Sequence, residues 1–350
     1  MDILIFADAR PGHFRQSEGL AAALARVRDV RVRRLEVRPR PVLKGTLLRW
    51  LVRAHLPPAL LLRLACGLGS GTIGRPDLIV SAGSDTLAAN VLAHRLTGAP
   101  NVFIGTIRDL AEDDFTAVLT TFPSQASRPR HVLAAKPTLV DPDRLPPPRA
   151  IANAGDLAGA SLAVLVGGPT PSHRWSDDDW TALATRLGAL ARETGARLLI
   201  TTSRRTPPEA IAALEALAAT GAVETLAIFG RAPAVPLDRF FGADALLVTD
   251  DSATMVFEAV AARRPVVTLA PADRQPTRDD EAFDDLASQG LIRRLEVVAV
   301  APQSLVEAFA AIRPKAAHPA ELLLAALAPL LAPAGLNPGK SSGNAGRTDA

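Results

Sequence analysis

Short unbroken apolar runs alternate with stretches of helical period along almost the whole chain. A strand buried on both faces of a parallel sheet reads as such a run, and the helix after it supplies the crossover to the next strand. The rhythm therefore argues for α/β layers around parallel sheets. In the first half it predicts strands over 2–7, 30–36, 77–82, 100–105, 116–121 and 131–134. Helices are predicted over 15–26 and 84–96, with a helical pair over 43–65 broken at Pro57-Pro58. The stretch 137–149, ending in Pro146-Pro147-Pro148, reads as a linker. Alternation then restarts, with strands predicted over 161–166, 197–202, 223–228, 244–249 and 265–270. Helices are expected over 176–194, 207–219, 252–262, 279–289, 303–312 and 318–332. The division that follows is an N-terminal domain over 1–140, a linker over 141–155 and a C-terminal domain over 156–335. A Gly/Ser/Asn-rich tail over 336–350 is expected to be disordered. Two Rossmann-like, doubly wound domains facing across a cleft are the architecture this pattern predicts.

At 350 residues each half can bury its own core, and 48% hydrophobic with 21% charged residues fits a globular protein. The single cysteine, Cys66, excludes an internal disulfide and a cysteine metal cluster, and lies in an apolar stretch that reads as packing. The chain enters an apolar strand after one acidic residue, without the basic and apolar regions of a signal peptide. No segment is apolar for the length of a membrane helix, and the single cysteine suits a reducing compartment, the cytoplasm.

Net charge is only +3, yet eleven basic residues against two acidic ones fall between Arg26 and Arg63, a local charge of +9 that leaves −6 elsewhere. Such concentration implies an anionic partner. Over 42–64, Arg49, Arg53 and Arg63 mix with Leu47, Leu48, Trp50 and a Leu60-Leu61-Leu62 run. Cationic and apolar residues at helical spacing suit an anionic membrane surface, with Arg49, Trp50 and Arg53 as contacts and the inner face as the expected site. The alternative is a helix pair packed on the core with its arginines snorkelling. Nucleic acid is a poor partner: there is no tyrosine, aromatics make up 4%, and no stacking platform is visible.

Ligands of open parallel sheets bind outside the carboxyl ends of the strands, so the residues there matter most. After 245–248 come Thr249, Asp250, Asp251 and Ser252, with Ser252 as the expected N-cap of a helix carrying Met255 and Glu258. Free N–H groups and the positive end of a helix dipole can hold phosphate there, with the Glu258 carboxylate placed for a ribose diol. The alternative is a capped helix with one solvated glutamate. After 197–202 come Ser203, Arg204, Arg205 and Thr206, where forked guanidinium groups beside hydroxyls suit a phosphate. After 161–166 come Gly167 and Gly168, which remove side chains where backbone must approach a ligand. After the first strand, Asp8 precedes Gly12, His13 and Gln16. Gly12 allows a tight turn, and His13, oriented by Asp8, can serve as a general base; the alternative is a loop histidine that caps a helix. Ser84 and Asp85, in the loop after 77–82, are expected on the same acceptor side. No P-loop, His-Glu-x-x-His or Gly-x-Ser-x-Gly motif occurs, and Asp177-Asp178-Asp179 fit the first turn of a helix. No metal and no cofactor is expected.

Taken together, Asp8 to His13 with Gln16, Pro76 to Gly83, Leu165 to Pro169, Ile200 to Pro207, and Ala243-Asp244 through Asp250-Asp251-Ser252 to Met255 and Glu258-Ala259 carry a resemblance. They resemble a family of GT-B-fold glycosyltransferases named after a plant protein implicated in mitochondrial fission. The Ser-Arg-Arg-Thr and Asp-Ser-x-x-Met-x-x-Glu pieces are its specific parts. The resemblance implies a nucleotide-sugar donor in the C-terminal domain and an acceptor, lipid or cell-envelope glycan, in the N-terminal one. The segment 104–114 departs from it, with Gly105-Thr106-Ile107-Arg108 in place of a loop richer in proline and histidine.

The function expected is metal-independent transfer of a sugar from a nucleotide-diphosphate sugar to an acceptor hydroxyl. A nucleotide-sugar epimerase of the same fold and a non-catalytic membrane-surface interaction protein are the alternatives.

Overall fold

The computed structural model describes residues 1–43 and 45–333; the tail expected to be disordered lies outside the described residues. The chain forms two units, one of Met1–Leu139 joined by the segment from Ala317, the other of Val140–Ala316.

In the first unit the strands are β1 (Asp2–Ala7), β2 (Arg31–Glu36), β3 (Leu78–Ala82), β4 (Asn101–Ile104), β5 (Ala117–Thr120) and β6 (His131–Leu133). The helices are α1 (Pro11–Ala25), α2 (Thr46–Arg53), α3 (Pro58–Cys66), α4 (Ser70–Ile73) and α5 (Leu87–Thr97). All strands run parallel in the order β2-β1-β3-β4-β5-β6. Successive side chains of a strand point to opposite faces. Leu4 and Phe6 accordingly join one core, with α2, α3 and α5, while Ile3 and Ile5 join another, with α1. Both faces are covered, which is why the strands read as continuous apolar runs.

The second unit holds β7 (Ser161–Val166), β8 (His173–Arg174), β9 (Arg197–Thr202), β10 (Val223–Ala227), β11 (Ala245–Thr249), β12 (Val266–Ala270), β13 (Asp273–Arg274) and β14 (Ile292–Glu296). Its helices are α6 (Asp177–Thr194), α7 (Pro208–Ala219), α8 (Asp238–Phe241), α9 (Ala253–Ala261), α10 (Arg278–Ser288) and α11 (Pro302–Ala311). The main sheet is again parallel, in the order β10-β9-β7-β11-β12-β14, and β8 pairs with β13 in a small antiparallel ladder. Strand order reverses between β1 and β3 in the first sheet and between β7 and β11 in the second. Crevices for ligands open at the carboxyl ends of strands flanking such switch points.

Four features differ from expectation. Helix α1 begins at Pro11, not at residue 15, because proline suits the first helical position; Gly12 therefore lies inside a helix and not in a tight turn. The last helix, α12 (Pro319–Leu331), expected in the C-terminal domain, instead buries Leu323, Leu324, Leu327 and Leu331 against Ile3, Ile5 and Leu20 of the first unit. The expected linker is packed onto the second unit. The Asp244 carboxylate accepts from the Arg149 N–H at 2.8 Å and from the Ser161 N–H and hydroxyl at 2.7 and 2.8 Å. Burial pushes this carboxyl up, but those hydrogen bonds prevail and hold it below the usual carboxylate range. Strand β14 was not expected, since Ile-Arg-Arg-Leu-Glu carries charge where buried strands carry none.

Candidate functional site

The second unit's switch point brings three loops together. Arg205 Nη2 donates to Asp251 Oδ2 at 2.6 Å, and the Gly168 N–H donates to the same oxygen at 3.0 Å. Thr206 Oγ1 lies 3.0 and 2.6 Å from the carbonyls of Val166 and Gly167, and accepts from the Ser203 N–H at 2.8 Å. Gly167 N–H donates to the Thr249 hydroxyl at 2.7 Å. The loops after β7, β9 and β11 are thereby fastened into one wall. Burial pushes the Asp251 carboxyl above its ordinary value, against the pull of Thr249, Arg205 and Gly168.

Several expected donor-binding residues turn out to build that wall. A Cβ at Gly167 would stand 2.1 Å from Asp251 Oδ2, and one at Gly168 only 2.0 Å from the Arg205 carbonyl oxygen. These glycines are needed for the loops to approach each other, whatever approaches them from outside. The Asp251 side chain is 0% exposed, so it positions Arg205 and touches nothing in solvent. Thr206 is buried in the same way. What faces outward is Arg204, exposed and without an ion pair among the described residues, and the remaining face of Arg205, with half-buried Ser203 and Ser252 beside them. Ser252 stands at the N-cap of α9 as expected, but its side chain makes no capping bond, so the first N–H groups of the helix are not claimed by it. Met255 and Glu258 follow on α9, both half-buried.

Beside this wall lies a cluster that sequence reasoning missed. The buried Asp250 carboxylate has His173 Nε2 at 3.2 Å, Arg274 Nε at 3.2 Å and Arg294 Nη2 at 3.7 Å. Arg274 and Arg294 also meet Asp280. The β8–β13 ladder delivers His173 and Arg274, so the cluster pins the end of β11 from behind. Only the Asp-Asp doublet hinted at it.

At the first unit's switch point, His13 Nδ1 lies 2.6 Å from Asp8 Oδ2, and the Asp8 side chain is 4% exposed. A carboxylate only accepts, so Nδ1 carries a proton, which in the neutral ring leaves the lone pair on Nε2. Gly83, at φ +92, sits against this pair: a Cβ there would be 2.2 Å from His13 Nδ1. Gly83 thus forms the floor of the histidine, a role that the sequence of the loop after 77–82 does not reveal. His13, Gln16 and Ser84 line a cavity of about 260 Å³ at the carboxyl ends of β3, β4 and β5. Gly12 and Asp85 are not among its walls, whereas Arg10, Arg108 and Lys136 are.

Helices α2 and α3 bury Leu48, Val52, Leu61 and Leu62 and leave Leu47, Trp50, Leu60 and Leu64 outward. Trp50 is 60% exposed and Val42, just before α2, 82%. Arg53 and Arg63 are exposed, but Arg49 is held by Asp109 and Thr46 and is not presented as expected. Cys66 is half-buried against the core, and burial pushes its thiol up to about 11, as packing requires and chemistry does not. No helix among the described residues is long and apolar enough to cross a membrane.

Comparison with known proteins places this architecture. The chain is similar in structure to UDP-GlcNAc 2-epimerase from Neisseria meningitidis bound to UDP-GlcNAc, with a TM-score of 0.54 at 11% identity over 93% of this chain and 99% of that one. It is similar to MurG of Acinetobacter baumannii, with a TM-score of 0.50 at 16% identity over 97% of each chain. A further likeness is to the S. aureus MnaA–UDP co-structure, with a TM-score of 0.50 at 14% identity over 91% of this chain and 92% of that one. A search of curated proteins by sequence finds no match. These likenesses carry the fold, two Rossmann-like units of GT-B type. A family model described as mitochondrial fission ELM1 matches residues 11–317, and the chain belongs to that family.

Proposed function

We propose that the protein transfers a sugar from a nucleotide-diphosphate sugar to an acceptor hydroxyl. One observation carries the reading: three polar strand-end loops, from β7, β9 and β11, meet at a switch point, with guanidinium groups exposed beside the start of α9, whose N–H groups the Ser252 side chain does not cap. Such a surface matches a diphosphate. The solved neighbours bound to UDP or UDP-GlcNAc support a nucleotide-sugar as ligand.

In the reaction, the bond from the sugar's anomeric carbon to the diphosphate oxygen breaks and the diphosphate leaves with the electron pair. Arg204, Arg205, Ser203 and the first N–H groups of α9 meet the charge that develops on it, which lowers the barrier because they are already oriented. These groups stand in for a metal in neutralising the diphosphate. Glu258 accepts hydrogen bonds from the ribose. The acceptor oxygen bonds to the anomeric carbon and gives its proton to His13 Nε2, while Asp8 fixes the ring and stabilises the imidazolium. The acceptor is a lipid or an envelope glycan, met at an anionic membrane surface by Trp50, Leu47, Leu60, Leu64, Val42 and Arg53, because an exposed apolar face beside exposed arginines suits headgroups. The test is product analysis with a panel of nucleotide-sugars and lipid extracts, with and without chelator. Acceptor-dependent release of nucleoside diphosphate, undiminished by chelator, is expected. Altered donor sugar without any acceptor would instead make the protein an epimerase.

A further inference from the structure

The cavity of the first unit has a charge pattern that the transfer reaction alone does not require. Three loops from different strand ends each bring a cation to it: Arg10 after β1, Arg108 after β4 and Lys136 after β6. Among the described residues no carboxylate lines it. Asp8 is sealed behind His13, with one oxygen facing the ring and the other accepting from the Arg10 N–H at 2.9 Å. Elsewhere in the protein converging arginines come with acids, as Arg205 does with Asp251 and Arg294 with Asp280 and Asp284. Here the Arg10 and Arg108 side chains have no ion pair among the described residues, and no carboxylate stands in the cavity wall to meet them. Arg108 is also held at φ +61, a conformation that residues other than glycine and asparagine rarely adopt. Such strain gathers where a side chain is placed for a ligand.

We propose that this cavity holds a phosphate monoester carried by the acceptor, gripped by Arg10, Arg108 and Lys136 beside the His13 base. Its volume, about 260 Å³, lies just below the range of pockets for drug-sized ligands, about 300–1,000 Å³. It accommodates a phosphate with its glycerol or sugar unit, and the remainder of a larger acceptor stays outside. Hydroxyls of Ser84 and Thr121 line the same walls and can donate to phosphate oxygens. Calling the ligand an acceptor rests on the transfer reaction proposed above; the anion site rests only on the cavity.

The test is calorimetric titration of the full chain, kept saturated with UDP, with glycerol 3-phosphate, short-chain phosphatidic acid and glycerol. Arg10→Ala and Arg108→Gly are compared with the unaltered protein; both side chains are exposed, and glycine relieves the strained backbone at 108, so the fold is retained. At least one phosphorylated probe is expected to bind, each variant to weaken it by about tenfold, and glycerol to give no heat. Tighter binding of phosphatidic acid would identify a lipid source, tighter binding of glycerol 3-phosphate a soluble one. UDP affinity, read in a separate titration, is expected to be the same in both variants; failure of UDP to bind at all sinks the donor assignment without touching this one. If neither phosphorylated probe binds, or both variants bind it as the unaltered protein does, the anion site is wrong.

Discussion

At position 205 a guanidinium donates to a carboxylate sealed from solvent, while the guanidinium at 204 is exposed and has no ion pair among the described residues. The two arginines should therefore respond differently to removal. Arg204→Ala is expected to weaken nucleoside diphosphate binding by about tenfold or more with an unchanged melting temperature, since only a charge-assisted contact to ligand is lost. Arg205→Ala should weaken binding and also destabilise the fold by about 1–3 kcal/mol, because Asp251 is left buried without its partner. That loss stays below the figure for a fully buried pair because Arg205 is 37% exposed. Calorimetry and thermal melts on both variants separate the two cases. For His13, substitution by alanine is expected to cut turnover about 10²–10⁴-fold while UDP affinity stays the same. Equal loss of both would mean that His13 only shapes its surroundings. The residue types of the site were legible in the sequence, because Gly-Gly, Ser-Arg-Arg-Thr and Asp-Asp-Ser each stand at the end of an apolar run. Their division of labour was not. Asp251 meets Arg205 across 46 positions of sequence, and no local pattern tells that its carboxylate turns inward.

The loops of the second unit hold one another at the scale of elements, so a side chain added to one is felt in the next. Gly168→Ala should cost about 1–3 kcal/mol or more, because its Cβ meets the Arg205 carbonyl oxygen at 2.0 Å and backbone must move. Binding of nucleoside diphosphate would fall with it; full stability and affinity in this variant would mean that the loops are not fastened as described. The start of β7 offers a pH test. Asp244 is held below the usual carboxylate range, so its contribution is fully present above the unfolded value of about 3.9 and is lost as pH falls through the lower folded value. Asp244→Asn is therefore expected to be about 2 kcal/mol less stable near neutrality, with the gap closing below about pH 4 in urea melts. Interior strands were easy to read, since burial on both faces leaves an unbroken apolar run. Strand β14 was hidden because it lies at a sheet edge, where Arg294 can reach Asp280 and Asp284 on α10 and the core demands less. The start of α1 was hidden for another reason: Pro11-Gly12 reads as a turn until the helix beyond it is seen.

For the molecule as a whole, chain order is a poor guide to membership of a unit. Helix α12 comes after the entire second unit, yet its leucines complete the core beneath β1. Leu327 is 0% exposed, so Leu327→Ala should cost about 2–5 kcal/mol, and hydrogen exchange should show the protection lost in β1 and β5 rather than in β7 or β11. Periodicity announced this helix, but a buried leucine stripe does not name the sheet it covers. The basic segment illustrates a second limit: composition showed its charge, while Arg33, Arg34, Arg38 and Arg49 turned out to be engaged within the protein. If the apolar face works on membranes, Trp50→Ser together with Leu60→Ser should lower sedimentation with anionic vesicles severalfold and leave UDP affinity intact. The central claim, that a nucleotide-sugar's diphosphate lies at the switch point of the second sheet, is tested most directly by a crystal structure of the protein grown with UDP. The account predicts diphosphate oxygens within hydrogen-bond distance of Arg204 and of the first N–H groups of α9, with the ribose beside Glu258. UDP found elsewhere on the protein, with those groups still facing solvent, would contradict it.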